Sequence, residues 1–166
     1  HKRFRNLIQL KGFYRVNKSK VEILNDKNDA VSRDLCIFGI PEKEEVIFNK
    51  FISEVKNAKS FLDIGAGIGL YTLFAVDCNN SLFSLSLEPN PKVFLTLREN
   101  LNNLSLNRQN QVILNKAVSS QEGSLEFFVP TGDDFSYGTS NKSLLLKNEI
   151  LYKSIFVETT NLSEFH

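Results

Sequence analysis

Residues 60–69 read Ser-Phe-Leu-Asp-Ile-Gly-Ala-Gly-Ile-Gly, a short apolar run that passes directly into three glycines at alternate positions. Such a run predicts a central parallel strand that is buried on both faces. The glycines then let the backbone bend sharply and let a ligand approach where a side chain would collide. Residues 70–76, Leu-Tyr-Thr-Leu-Phe-Ala-Val, are expected to form the next helix. The stretch therefore predicts a strand, a glycine turn and a helix.

The sequence upstream of this stretch predicts another helix. Pro41 suits a first helical turn, and the acids of Glu-Lys-Glu-Glu at 42–45 favour the positive end of a helix. A buried stripe is expected on this helix, which runs for about four turns and ends near Asn57. Its expected members are Ile47, Phe51 and Val55, beside Phe48 and Ile52.

The sequence downstream continues the alternation of strands and helices. A strand is predicted at 82–87, with Glu88 directly at its end. Asn90 then caps a helix with Pro91 at its first position. That helix is expected to bury Phe94, Leu97, Leu101 and Leu104, and a third strand is expected at 111–117. This order predicts an α/β protein with a Rossmann-like, doubly wound, mostly parallel sheet and right-handed crossovers.

The two ends of the chain depart from that alternation. Residues 1–40 are expected to be an N-terminal extension that packs on the core, with short strands at 21–24 and 35–38. Residues 41–166 are expected to carry the main domain. After Val118, a turn at 119–123 and a strand at 125–129 predict an antiparallel hairpin added to the parallel core. One more strand is expected at 154–160.

The glycine turn predicts a nucleoside-binding site. The first amides of a helix favour an anion, and Glu88 ends the second strand, where an acid can accept hydrogen bonds from ribose hydroxyls. Dinucleotide sites usually read G-x-G-x-x-G, whereas this turn reads D-x-G-x-G-x-G. Asp63 would repel a pyrophosphate but would attract the ammonium and sulfonium groups of S-adenosylmethionine. Glu88 fits either cofactor.

Longer segments resemble the FkbM-type methyltransferases. These segments are FLDIGAGIGLYTLFA from Phe61, LEPNPKVFLTLRENLNNL from Leu87 and ILNKAVSSQEGSLEFF from Ile113. The family pattern runs D-x-G-A-N-x-G and then E-P-N-P before a long helix. The resemblance implies the S-adenosylmethionine-dependent methyltransferase fold and transfer of a methyl group to a hydroxyl of a small molecule or sugar.

The resemblance also implies a set of cofactor contacts. Asp63, Gly65 and Gly67 would surround the methionine part of S-adenosylmethionine, Glu88 would hold the ribose, and Ala117 would lie against the adenine. Lys116 and Val118 would lie alongside, although Ala117 and Val118 also suit an ordinary core. The expected cofactor-binding residues are Asp63, Gly65, Ala66, Gly67, Gly69, Glu88, Pro89 and Ala117.

The sequence departs from the family pattern in three places. Gly67 stands where the family usually has asparagine, and Ser163 stands where it tends to have an acid. The K-I-D-x-E-G strand that follows in the family has no counterpart. We therefore expect a domain truncated at its C-terminus, belonging to a longer protein. The strand at 60–64 would then be an exposed apolar edge.

The sequence identifies no catalytic base. Its two histidines are His1 and His166, and Asp133 and Asp134 are weak candidates that suit a turn better. Two other functions stay open: a nicotinamide-dinucleotide-binding oxidoreductase, and a non-catalytic, truncated Rossmann-like interaction module.

The composition gives little support to a nucleic-acid-binding, membrane or disulfide-stabilised protein. The formal charge of +1 gives no overall field for nucleic acid. Seven basic residues precede the first acid, Glu22. This N-terminal segment could be an arm that contacts phosphate or a membrane surface, or simply a solvated face. Cys36 and Cys78 predict neither a disulfide framework nor a metal site. With no run of about 18 apolar residues and no signal peptide, a cytoplasmic protein is expected, without membrane or nucleic-acid partners. Nothing indicates its oligomeric state.

Overall fold

A computed structural model of the chain describes residues 12–16, 19–25, 30–104, 109–131, 138–141 and 151–165. Two strands come first, β1 (Gly12–Arg15) and β2 (Glu22–Asn25), and two helices follow, α1 (Ala30–Phe38) and α2 (Glu42–Val55). The central part alternates between strands and helices: β3 (Ser60–Ile64), α3 (Leu70–Cys78), β4 (Phe83–Leu87), α4 (Pro91–Asn103) and β5 (Gln111–Leu114). The last part contains β6 (Ala117–Val118), β7 (Gly123–Pro130), β8 (Tyr152–Thr160) and a single turn of 3-10 helix (Leu162–Glu164).

The central strands form a parallel sheet in the order β3-β4-β5. Leu62 pairs with Leu85, which pairs in turn with Val112, so these three side chains share one face. Parallel neighbours need crossover connections, and α3 and α4 provide them. The predicted mixed α/β architecture with a parallel sheet is confirmed over this part of the chain.

Strand β3 lies at the edge of that sheet rather than at its centre. Leu62 is 44% exposed and Ile64 is 54% exposed, so the prediction that this strand is buried on both faces is wrong for the described residues. Its other face packs beneath the helices, where the rings of Phe61 and Phe51 lie 5.4 Å apart. The apolar edge that the sequence led us to expect is present.

The buried face of α2 differs from the predicted stripe. Phe48 and Val55 are buried, and Phe51 and Ile52 are half-buried against the core, whereas Ile47 is 66% exposed. The residues that face the core, at positions 48, 51, 52 and 55, are separated by steps of three, one and three, as expected for one face of a helix. A strict four-residue repeat that includes Ile47 moves away from that face. In α4 the prediction is closer: Leu97 and Leu101 are buried, and Phe94 and Leu104 pack against the same cluster.

The N-terminal segment shares the main core. The side chains of Val16, Val21 and Ile23 are fully buried in one cluster with residues of α3 and α4. Residues 35–38 belong to helix α1, so the strand predicted there is wrong. A four-residue apolar run does not distinguish a strand from one turn of a helix. Here Val31 and Leu35, one helical turn apart, both pack on the core.

The C-terminal strands form a separate sheet in the order β6-β8-β7. Strand β7 pairs antiparallel with β8, and β6 pairs parallel with β8. The prediction of a single third strand over 111–117 is therefore wrong, because β5 ends at Leu114 and Ala117 enters the other sheet. The predicted hairpin also has a different partner, since β7 pairs with β8 rather than with the strand before the 119–123 turn.

Candidate functional site

The glycine loop, residues 65–69, joins β3 to α3. The backbone N–H groups of Gly65 and Ala66 both donate to the carbonyl of Leu87, at 2.8 and 2.9 Å, and so tie the loop to the end of β4. Gly65 and Gly67 have φ angles of +75° and +58°, which side chains rarely adopt. A Cβ atom at either position would have no protein atom within 4 Å. A ligand can therefore approach this backbone directly.

Gly69 has a different role from the first two glycines. It precedes α3 with a φ angle of +90°, and a Cβ atom there would collide with the buried side chain of Leu97. The absence of a side chain at Gly69 thus allows α3 to pack closely against α4. Ala66 is half-buried and packs on the same core.

Asp63 lies in β3 just before the loop, with its carboxylate turned toward α3. Thr72 Oγ1 donates to Asp63 Oδ2 at 2.6 Å, and the same hydroxyl lies 2.7 Å from Ser86 Oγ in β4. Burial raises the pKa of Asp63, and the hydrogen bond from Thr72 partly opposes that rise. The ionised carboxylate is therefore held in place but poorly solvated.

Glu88 follows β4 and reaches the glycine loop from the other side. Its Oε2 accepts from the N–H of Gly67 at 2.9 Å, and its Oε1 accepts from the N–H of Asn90 at 2.8 Å. The residue is 7% exposed. Burial raises the pKa of Glu88, the two backbone hydrogen bonds lower it, and the charge of Asp63 raises it further. The structure thus brings together Glu88, Asp63 and the loop.

Asn115 is a residue of this site that the sequence did not reveal. It follows β5, and its Nδ2 donates to the carbonyl oxygens of Glu88 and Pro89 at 2.7 and 3.1 Å. The sequence did not reveal Thr72 and Ser86 either, because their roles depend on contacts between different elements of the fold. Their only sequence signal is a small polar residue within an otherwise apolar segment.

The predicted adenine neighbours lie on the second sheet. Ala117 and Val118 are half-buried in β6, and Ala117 packs against the cluster formed with Phe127 and Val157. The Nζ of Lys116 lies 3.6 Å from Glu158 Oε2. These residues follow Asn115 directly but do not extend the parallel sheet.

Three further observations concern the candidate bases, metal binding and membrane-spanning helices. Asp133 and Asp134 lie outside the described residues. Within the described ranges, no three His, Cys, Asp or Glu side chains come together in a way that could hold a metal ion. No helix in the described part of the chain has the length and apolar character to cross a membrane.

The arrangement suits a ligand that combines positive charge with hydroxyl groups. Two carboxylates, half-buried Asp63 and buried Glu88, flank a loop whose glycine backbone is accessible. Carboxylates accept hydrogen bonds from hydroxyls and attract cations, and their effect is larger in a partly buried site than in water.

Comparisons with known proteins found no match to any protein-family model and none to a curated protein sequence. Among solved structures, an S-adenosylmethionine-dependent methyltransferase from Agrobacterium tumefaciens is similar, with a TM-score of 0.49 and 15% identity, over 65% of this chain and 33% of that chain. A putative protein-L-isoaspartate O-methyltransferase from Plasmodium falciparum, in complex with S-adenosyl-L-homocysteine, has a TM-score of 0.38 and 15% identity, over 89% of this chain and 78% of that one. The chain thus spans one third of the length of the Agrobacterium structure.

Proposed function

We propose that the chain binds S-adenosylmethionine at the glycine loop and is part of a methyltransferase of the FkbM type, which methylates a hydroxyl of a small molecule or sugar. The observation that carries this proposal is the placement of two carboxylates, half-buried Asp63 and buried Glu88, on either side of a glycine loop that is open to a ligand.

The charge of the site favours this cofactor over a dinucleotide. Burial raises the pKa of both carboxyls, so ionised Asp63 and Glu88 lack part of their solvation. The ammonium and sulfonium groups of S-adenosylmethionine would supply the missing positive charge. A pyrophosphate would instead add negative charge beside them, which argues against the nicotinamide-dependent oxidoreductase.

The proposed contacts involve the glycine loop and residues close to it in the chain or in the fold. The backbone of Gly65, Ala66 and Gly67 would lie against the methionine part of the cofactor, and Asp63 would attract its ammonium group. Glu88, held by two backbone N–H groups, would accept hydrogen bonds from the ribose hydroxyls. Pro89 and Ala117 would lie nearer to the adenine.

S-adenosylmethionine supplies a methyl group that its sulfonium has already activated. The task of the protein is therefore to align donor and acceptor and to keep water away. A hydroxyl acceptor must also lose its proton to a base within hydrogen-bond reach, and the proposal assigns that role to no residue of this chain.

Isothermal titration calorimetry with S-adenosylhomocysteine tests the proposal. We expect the chain to bind S-adenosylhomocysteine but not NAD, and Asp63→Asn and Glu88→Gln to weaken binding at least several-fold. Asp77→Asn is a matched control, because Asp77 lies at the opposite end of α3 from the glycine loop.

Two outcomes would count against the proposal. Tight binding of NAD without S-adenosylhomocysteine would favour the oxidoreductase, and binding of neither by the folded chain would favour a non-catalytic interaction module.

A further inference from the structure

A cavity lies beside the glycine loop, between α1, the start of α2 and the first residue of α3. Its volume is about 370 Å³, and its walls include Leu35, Phe38 and Leu70. Cavities of this size are typical of sites for small organic ligands. We call it the α1 cavity.

The α1 cavity adjoins the glycine loop directly. Leu70, in its wall, follows Gly69 in the chain. Leu35, which also lines the cavity, packs in the same hydrophobic cluster as Ala66 and Ile68 of the loop. A molecule in the cavity would therefore lie next to the loop at the start of α3.

The order of the strands determines which end of the cofactor would face the α1 cavity. Glu88 follows the middle strand β4, and the proposed adenine neighbours follow β5. The methionine end, with the reactive methyl group, would then lie over β3 and the start of α3, on the side of the cavity.

The charged residues that line the α1 cavity are both acidic. Half-buried Asp34 and exposed Glu44 line it, and its other described lining residues are apolar side chains or glycine. The ring of Phe38 at its wall is 54% exposed, so part of the ring is accessible to a molecule in the cavity. An exposed aromatic face beside carboxylates suits an organic cation.

Another cavity differs in both place and charge. It has a volume of about 180 Å³, lies between the start of α4 and the β7–β8 pair, and is lined by Lys92 and Lys153. No residue of the glycine loop belongs to its described lining. The two cavities would select ligands of opposite charge, and of these two it is the α1 cavity whose lining includes the start of α3.

We propose that the α1 cavity binds the methyl acceptor, and that this acceptor is a small molecule with a ring-sized apolar body and a protonated amine in addition to the hydroxyl that is methylated. The role as acceptor site rests on the proposed function, whereas the preference for a cation rests on the lining of the cavity alone. In the transfer, the bond from the methyl carbon to sulfur breaks, a bond to the acceptor oxygen forms, and the hydroxyl proton leaves to a base.

Three probes of similar shape test the charge preference: 2-phenylethylamine, 2-phenylethanol and phenylacetate. We expect the amine to bind more tightly than the alcohol, and phenylacetate to bind least, in calorimetry or by NMR shift changes. Glu44→Gln and Asp34→Asn should each weaken amine binding by about two- to five-fold, since partly exposed charge pairs contribute up to roughly 1 kcal/mol. Neither change should affect binding of the alcohol.

Glu45→Gln is the matched control, because Glu45 lies in the same first turn of α2 but not in the wall of the cavity. Glu44 is exposed, so its substitution should leave the fold intact even if Asp34→Asn does not. Equal binding of phenylacetate, an equal effect of Glu45→Gln, or no binding of any probe would overturn the inference.

The same titrations with S-adenosylhomocysteine present separate this inference from the proposed function. If S-adenosylhomocysteine binds but the amine does not, the inference is wrong and the proposed function stands. If the amine binds but S-adenosylhomocysteine does not, the α1 cavity is a cation site but not an acceptor site.

Discussion

The side-chain amide of Asn115 donates a 2.7 Å hydrogen bond to the backbone carbonyl of Glu88. The end of β5 thereby fixes the segment that presents the Glu88 carboxylate to the glycine loop. A second bond from the same amide, 3.1 Å to the carbonyl of Pro89, restricts that segment further. The position of the acid thus depends on a neighbouring strand.

Asn115→Ala should therefore weaken binding of S-adenosylhomocysteine without unfolding the chain. Neutral hydrogen bonds contribute about 1 kcal/mol each, so the loss of two predicts roughly a five- to thirty-fold higher dissociation constant in calorimetry. Asn110→Ala serves as the control, because exposed Asn110 precedes the other end of β5. Unchanged affinity in Asn115→Ala would contradict this role.

Asp63→Asn should stabilise the ligand-free chain at neutral pH. Burial raises the pKa of Asp63 above its ordinary value of 3.8, so the folded state holds the proton to higher pH than the unfolded state does. The stabilising contribution of this carboxyl is present below pH 3.8 and is lost as the pH rises through the folded-state pKa. An asparagine avoids that loss and can still accept the hydrogen bond from Thr72.

Thermal unfolding at a series of pH values measures this effect. At about pH 7.5 we expect the unfolding midpoint of Asp63→Asn to exceed that of the parent chain. Each 1 kcal/mol gained in the free energy of unfolding should raise the midpoint by ~2–4 °C. The difference should shrink as the pH falls. Asp77→Asn provides the comparison. A lower midpoint for Asp63→Asn at neutral pH would show that the hydrogen bond from Thr72 outweighs the cost of burying the charge.

Gly67→Ala and Gly69→Ala should differ in what they damage. Alanine at position 67 adopts a positive φ at a cost of about 1–2 kcal/mol, and its methyl group points into open space beside the loop. Its main effect should be weaker cofactor binding. Alanine at position 69 has the same strain and also collides with Leu97, which adds roughly 1–3 kcal/mol.

Urea unfolding and calorimetry together separate the two glycine variants. Gly69→Ala should have the lower free energy of unfolding. Gly67→Ala should show the larger loss of affinity for S-adenosylhomocysteine relative to its loss of stability. The reverse order would mean that Gly67, rather than Gly69, is required for helix packing.

Asn100→Ala should destabilise the chain strongly. This fully buried side chain accepts from the N–H of Leu24 at 2.6 Å and donates to the carbonyl of Ile68 at 2.8 Å, and so joins β2 and the glycine loop to α4. Alanine would leave both buried backbone groups without a partner, and we expect a loss of about 2–4 kcal/mol in urea unfolding. Asn103→Ala, which removes an exposed 3.3 Å contact to Glu22, should change stability by less than about 0.5 kcal/mol.

Leu62→Lys should reduce self-association of the chain. Leu62 is 44% exposed on the edge strand β3, and a lysine on an edge strand opposes pairing with a second sheet. Light scattering at rising protein concentration measures the effect. Phe156→Lys is the comparison, because Phe156 is 76% exposed but lies in β8, the central strand of the second sheet. Equal effects of the two changes would mean that exposed apolar area, rather than the edge, causes association.

The sequence predicts those parts of the fold and site that depend on local order along the chain. The glycine loop, Asp63 and Glu88 are recognisable because strand, turn, helix and terminal acid follow one another at short range. Asn100 and Asn115 are not, because their partners lie far away in the chain and asparagine alone gives no directional signal. The short apolar run at 35–38 predicted the wrong element because its length suits both a strand and a helical turn.

The two backbone hydrogen bonds to Glu88 have an entropic consequence. A long acidic side chain loses rotamer freedom when a ligand immobilises it, which weakens binding. In this chain the N–H groups of Gly67 and Asn90 already hold both carboxylate oxygens. Each oxygen keeps a further lone pair for a ligand hydroxyl. Glu88 is thus preorganised, and a ligand can bind it without first ordering it.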